Sequence, residues 1–149
     1  MLRIAQLAPC ACWRKNTAGA GESLDFGNGS RAEIAVGGPQ SGGEYAVVRY
    51  TVTPGDEPPL HTHSREDEMV FVEKGEITAV VGDTTVDVGP GAFAALPRGL
   101  PHTIRVKGES ATLLLTLVPA GLERFFVPAS EKDNDPATFG LEIHDTPSG

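Results

Sequence analysis

Hydrophobic and polar positions alternate with a period of two through much of the stretch from Arg31 to Val118. Between Tyr45 and Thr53, one face carries Ala46, Val48, Tyr50 and Val52, and the other Tyr45, Val47, Arg49 and Thr51. Side chains on an extended strand project to alternate sides, so this pattern predicts a strand with one buried face, ended by Pro54-Gly55. Arg31 to Val36 reads as the strand before it. Further β-rich runs follow at Glu68 to Val72, Glu76 to Val81, Thr84 to Val88, Phe93 to Leu96, His102 to Val106 and Ala111 to Val118. All are bounded by Gly, Pro or Asp. Gly82-Asp83 suits a tight hairpin loop, and Val88-Gly89-Pro90-Gly91 and Pro97-Arg98-Gly99-Leu100-Pro101 are turn chemistry. Short strands so punctuated predict an all-β sandwich or barrel rather than alternating βαβ units.

The flanks read differently. Residues 1–30 show no clean period, carry Gly19, Gly21, Gly27 and Gly29, and predict an irregular N-terminal arm with one edge strand. The barrel is expected over residues 31–127. Within it, the stretch from Gly121 to Phe126 predicts a short C-terminal helix packing its aromatic rings on the strands. Residues 128–149 form a polar C-terminal tail, expected to be loosely ordered unless a partner uses it. No repeat and no second domain is evident.

Composition fits this picture: among 149 residues, 18 Gly and 12 Pro favour many turns. The net charge of −8 argues against nucleic acid or an anionic membrane surface as a partner, since either would be repelled. No run reaches the roughly 18 apolar residues that span a bilayer. The stretch Ile4 to Cys10 is interrupted by Gln6 and Pro9 and is short for a signal core, so a cytoplasmic location is expected. Cys10 and Cys12 are too close for a comfortable disulfide and lack further thiols for a zinc site; they read as reduced thiols.

The chemistry concentrates in three histidines and a carboxylate. His61 and His63 are two apart, so on a strand both imidazoles face the same way. Glu68 follows a short polar stretch that can reset the strand phase, and it shares a face with Val70 and Val72. His102 opens a later strand that can lie across from the first pair. Glu66 and Asp67 are rival carboxylates, but Ser64-Arg65-Glu66-Asp67 looks like a solvated turn, whereas Glu68 opens the apolar alternation. Three neutral imidazoles and one carboxylate suit one divalent transition metal (Ni, Fe, Mn, Co, Cu or Zn) and leave positions open for substrate. The plainer alternative is that these histidines serve only as hydrogen-bonding groups. His144 stands apart in the polar tail. Tyr50, Phe71, Phe93 and Met69 are candidates for a pocket lining, though such residues more often pack in a core. Arg49 and Arg105 point to solvent or a dimer contact, and Arg98 carries no assigned role.

Two linked motifs resemble a known family. Gly55, five residues, His61-Thr62-His63, four residues, Glu68, six residues and Gly75 match the first cupin motif at every defined position. Gly91, five residues, Pro97-Arg98-Gly99, two residues and His102 match the second, with fifteen residues between the motifs. Val106 stands where the second motif usually ends in Asn, a departure that leaves the ligand positions intact. The resemblance covers about half the chain, roughly Tyr45 to Val118. It implies a double-stranded β-helix, or jelly roll, with the metal in one mouth of the barrel and His61, His63, Glu68 and His102 as its ligands. It also implies a homodimer in which residues 1–30 pack on a second copy. The run from His61 to Gly75, with Leu96 to His102 and Val118 to Phe126, is most similar to small bacterial quercetin dioxygenase-like proteins. That likeness implies a metal-dependent dioxygenase acting on an enolic or phenolic small molecule, with Glu68 also serving as general base. The family equally accommodates an isomerase, lyase or cyclase acting on a sugar acid or polyketide, and non-catalytic ligand-binding modules.

Overall fold

The computed structural model describes residues 21–127 and 135–145. Cys10, Cys12 and most of the N-terminal arm lie outside the described residues. The architecture is all-β, as the alternation predicts. In chain order the elements are β1 (Ser23–Asp25), β2 (Arg31–Val36), helix α1 (Gly38–Ser41), β3 (Ala46–Val52), β4 (His61–His63) and β5 (Asp67–Val81). Then come β6 (Thr84–Val88), β7 (Phe93–Leu96), β8 (His102–Val118), helix α2 (Glu123–Phe126), a 3₁₀ turn (Pro136–Phe139) and β9 (Leu141–Ile143). Among the described residues, no helix is long and apolar enough to cross a membrane.

Every strand pairing among the described residues is antiparallel. β1, β2, β3, β8, β4 and β9 lie side by side in that order, while β5 pairs with β6, β7 and β8. β8 is the spine: its second half, Ala111 to Leu117, pairs with β3, and it runs beside β5 from Asp67↔Val118 to Val81↔His102. The sequence predicts two strands where β5 runs and two where β8 runs, because the apolar period fails at Glu73 to Gly75 and at Lys107 to Ser110. The structure keeps each as a single strand that bends, with register shifts at Val72/Lys74 and Lys74/Glu76. Gly75 adopts φ 78°, a left-handed backbone that favours glycine. A side chain there would also fall on the Ser110 carbonyl of the neighbouring strand. The backbone thus stays paired where the side-chain pattern breaks.

The core forms where the inward faces meet. Ala46, Val48, Tyr50 and Val52 of β3, the predicted inner face, pack with Val70, Val72, Ile77 and Ala79 of β5 and with Ala111, Leu113, Leu115 and Leu117 of β8. Each fully buried Leu or Ile stabilises the fold by ~1.5–3 kcal/mol relative to exposure. Leu122, at the entry to α2, is buried in the same core, and Phe125 and Phe126 pack against it. α2 is tied down by Glu123, whose carboxylate accepts hydrogen bonds from the N–H groups of Gly38 (2.8 Å) and Gly121 (2.5 Å).

Within the expected polar tail, residues 135–145 dock on the barrel. Asp135 caps the 3₁₀ turn by accepting from the Ala137 N–H at 3.0 Å, and β9 then pairs with β4. Ser64 N–H donates to the Gly140 carbonyl at 2.9 Å, His144 N–H to Leu60 at 2.8 Å, and Arg65 Nη1 to Thr138 at 3.0 Å. The segment docks because β4 would otherwise present an edge of unpaired backbone groups.

Candidate metal centre

β4 is short, but its neighbours fix it. His61 and His102 are register partners across β4 and β8, and the Gly99 N–H in the turn before β8 donates to the His63 carbonyl at 2.8 Å. His61 and His63 both point inward, as their spacing predicts. Glu68 enters the same interior from the start of β5, where it pairs with Leu96 and Leu117. One donor atom from each of His61, His63, Glu68 and His102 lies within 4.8 Å of all the others, and all four residues are buried. The three imidazole centroids stand 4.5–4.9 Å apart. Glu68 Oε2 lies 3.5 Å from His63 Nε2 and 3.8 Å from His102 Nε2.

The tautomers follow from the surrounding carbonyls. His61 Nδ1 is 2.7 Å from the Pro59 oxygen and His102 Nδ1 is 2.9 Å from the Leu100 oxygen. A carbonyl only accepts, so both Nδ1 atoms carry the proton and both Nε2 lone pairs face the interior. His61 Nε2 and His63 Nε2 are 2.9 Å apart, and His102 Nε2 is buried with no hydrogen-bond partner among the described residues. Lone pairs converging on one point, one of them orphaned, are a poor arrangement for an apolar interior and a good one for a cation. The four residues therefore fit a metal ion, and this group could hold one.

Burial sets the protonation states. It pulls the imidazole of His63 down to about 3, with help from His61 and His102. His102 falls to about 4 through burial and then His61, and His61 is lowered by burial first. All three are neutral donors at neutral pH. Burial pushes the Glu68 carboxyl up to about 7, and nearby Glu66 adds to the rise. A cation in the cluster would favour its charged form.

The rival carboxylates separate cleanly. Asp67 is exposed and pairs with Arg98 at 2.8 Å, which gives that arginine a contact the sequence left unassigned. Glu66 corrects the solvated-turn expectation: it is buried, with Oε2 unpartnered, and burial raises its carboxyl. A charged side chain inside a polar run gives no sign of burial in sequence. Val106, in place of the motif's Asn, donates its backbone N–H to Glu57 Oε1 at 3.0 Å. Arg49 lies on the outer face, paired with Glu73 at 2.8 Å.

A cavity of about 770 Å³ opens above the four donors. Tyr50 lines it, donating its hydroxyl to the Asp56 carbonyl at 3.1 Å and meeting Phe126 edge to face at 5.7 Å. Phe26, Leu122 and Phe125 add apolar wall. Phe93 and Met69 are instead exposed on the outer face of β5 and β7, where Phe71 meets Phe93 at a tilt, with ring centroids 4.7 Å apart. Sequence reasoning missed Leu141 and Ile143, which also line the cavity. Their two-residue spacing was the available signal, hidden in a polar tail.

Residues 48–118 match the family described as Cupin domain. The chain carries a cupin domain. Quercetin 2,3-dioxygenase of Bacillus subtilis (strain 168) is 27% identical over 96 residues, 64% of this chain but 28% of that protein's length. Among solved structures, a sugar phosphate isomerase of the cupin superfamily from Silicibacter pomeroyi is 26% identical, with TM-score 0.51 over 60% of this chain and 59% of that one. KdgF from Halomonas sp. superposes with TM-score 0.58 at 17% identity, over 66% of this cupin and 86% of that chain, a likeness of fold alone. The fold is the double-stranded β-helix that the motifs imply.

Proposed function

We propose that this cupin is a metal-dependent dioxygenase acting on an enolic or phenolic small molecule, with His61, His63, Glu68 and His102 holding one divalent transition metal. The observation that carries the reading is the convergence of three neutral imidazoles and one carboxylate beneath an apolar cavity large enough for a small organic substrate. The likeness to a quercetin 2,3-dioxygenase supports the reaction class.

A divalent cation in this set supplies Lewis acidity towards an enolic or phenolic oxygen. Glu68, whose charged form a cation in the cluster would favour, is suited to take the substrate's hydroxyl proton at Oε2. Pro59 and Leu100 hold the rings of His61 and His102 in fixed tautomers, so the donor set is preorganised. The apolar wall of Leu122, Phe125 and Phe126 keeps water from a substrate bound above the donors.

The test loads the purified protein with Ni, Co, Fe or Mn and follows flavonol absorbance together with oxygen uptake. Coupled loss of both supports the reading; no turnover with any of these metals removes it. The likeness to a protein named as a sugar phosphate isomerase favours a second reading, an isomerase that needs the same ion to stabilise an enolate but consumes no oxygen. Turnover of a sugar substrate under anaerobic conditions would select it.

A further inference from the structure

Part of the cavity wall comes from outside the matched domain. β9 pairs with β4 so that Ile143 lies opposite His61 and Leu141 opposite His63. Directly opposed residues of an antiparallel pair project from the same face, so these two apolar side chains stand beside the two imidazoles. Both line the cavity, and Ile143 is 49% exposed, an apolar group facing open space rather than packed core. The strand is pinned from its other face and its ends: Thr62 Oγ1 and His144 Nε2 are 2.7 Å apart, and Arg65 and Ser64 hold the turn that leads into it.

The charge of the lining is equally selective. Among the described residues that line the cavity none is Lys or Arg, while Asp56 and Glu57 are present. A phosphate or carboxylate entering there would lose its water without gaining a side-chain cation from the wall. A ring without charge would lose little and would meet Tyr50 and Phe126 as well as Ile143.

We infer that Leu141 and Ile143 are specificity-determining residues, and that β9 forms the wall that admits uncharged, flat apolar ring systems and turns away phosphorylated sugars. The inference rests on the reading that the cavity above the four donors is the substrate site.

The experiment titrates the full chain with the neutral fluorescent dye N-phenyl-1-naphthylamine and, separately, with glucose 6-phosphate. Wild type, Leu141→Ser, Ile143→Arg and the outward-facing control Glu142→Ser are compared, with metal content and melting midpoint recorded for each. Wild type and Glu142→Ser should bind the dye equally and the sugar phosphate not at all. Leu141→Ser and Ile143→Arg should weaken the dye on the order of tenfold, the scale of a small apolar change in a pocket, with metal content unchanged. Ile143→Arg should in addition gain binding of glucose 6-phosphate, which a merely structural role for β9 would not produce. Dye affinity unchanged in both wall variants, an equal loss in Glu142→Ser, or wild-type binding of the sugar phosphate would each overturn the inference. A dye response to the wall variants in a protein that takes up no metal would leave the wall in place and defeat the metal reading alone.

Discussion

His61 on β4 and His102 on β8 are direct register partners, with their ring centroids 4.5 Å apart and each Nδ1–H donated to a backbone carbonyl two residues earlier. The pairing of two strands therefore sets the distance between two donors, and the preceding turns set their orientation. Replacing either imidazole with Ala should leave the pairing intact but open the donor set. His61→Ala and His102→Ala should each weaken binding of Ni or Co by at least the ~10–100-fold that loss of an outer partner costs. Isothermal titration on chelator-stripped protein measures this; undiminished affinity in both variants would mean that the cluster is not the ion's site.

Glu68 makes the metal-free protein sensitive to pH. Its carboxyl rises from 4.5 to about 7 on folding, so the folded state binds more protons than the unfolded one between these values. Stability from this group is present below pH 4.5 and declines as pH rises through 7. Glu68→Gln removes the decline. The buried histidines act oppositely below 6.5, so the informative quantity is the difference between wild type and variant. Glu68→Gln should be the more stable metal-free protein at pH 8, by on the order of 3 kcal/mol relative to the difference at pH 4.5. Urea unfolding across that range reads it, and the same variant should lose metal affinity.

Gly75 and Gly108 separate two causes of strain. Both have positive φ, 78° and 93°, but only at Gly75 would a side chain meet a neighbouring strand, at the Ser110 carbonyl. Gly108→Ala should cost about 1–2 kcal/mol, the left-handed backbone alone. Gly75→Ala should cost clearly more, because β5 and β8 must move apart at their bend. Denaturant melts of the two variants, compared directly, decide this; equal losses would show that the bend can give way without cost.

Tyr50 joins the core to the cavity through one hydrogen bond. Tyr50→Phe should lose about 0.5–1.5 kcal/mol, since the Asp56 carbonyl is left without that donor. Burial pushes the phenol up to about 12, followed by the influence of Asp56 and Glu57. A phenol raised on folding contributes stability below pH 10 that is lost as pH rises through 12, so wild type should approach the variant and then fall below it over that window. Ultraviolet titration of the tyrosines, with stability measured alongside, tests both parts.

Much of the site was legible before any coordinates. The two-residue spacing of His61 and His63 placed them on one face, and the alternation opened by Glu68 distinguished it from Glu66 and Asp67. Strands β6 and β7 have the bounds that the alternation predicts. What alternation could not show was continuity: β5 and β8 each read as two strands because side-chain period fails at a bend, whereas backbone hydrogen bonding does not. Nor could it show the burial of Glu66, because a carboxylate is hidden by neighbours distant in sequence.

The sequence by itself determined the strand pattern, the inward face of β3 and the kinds of donor available to a metal, because these depend on residue type and on a period of two along one chain. Only the tertiary structure decided that His102 meets His61, that Glu68 is buried enough to hold its proton near neutrality, and that Leu141 and Ile143 stand beside the imidazoles. Those facts depend on which strands pair and in what register. Register arises from the summed packing of a whole sheet, so no local run of residues carries it.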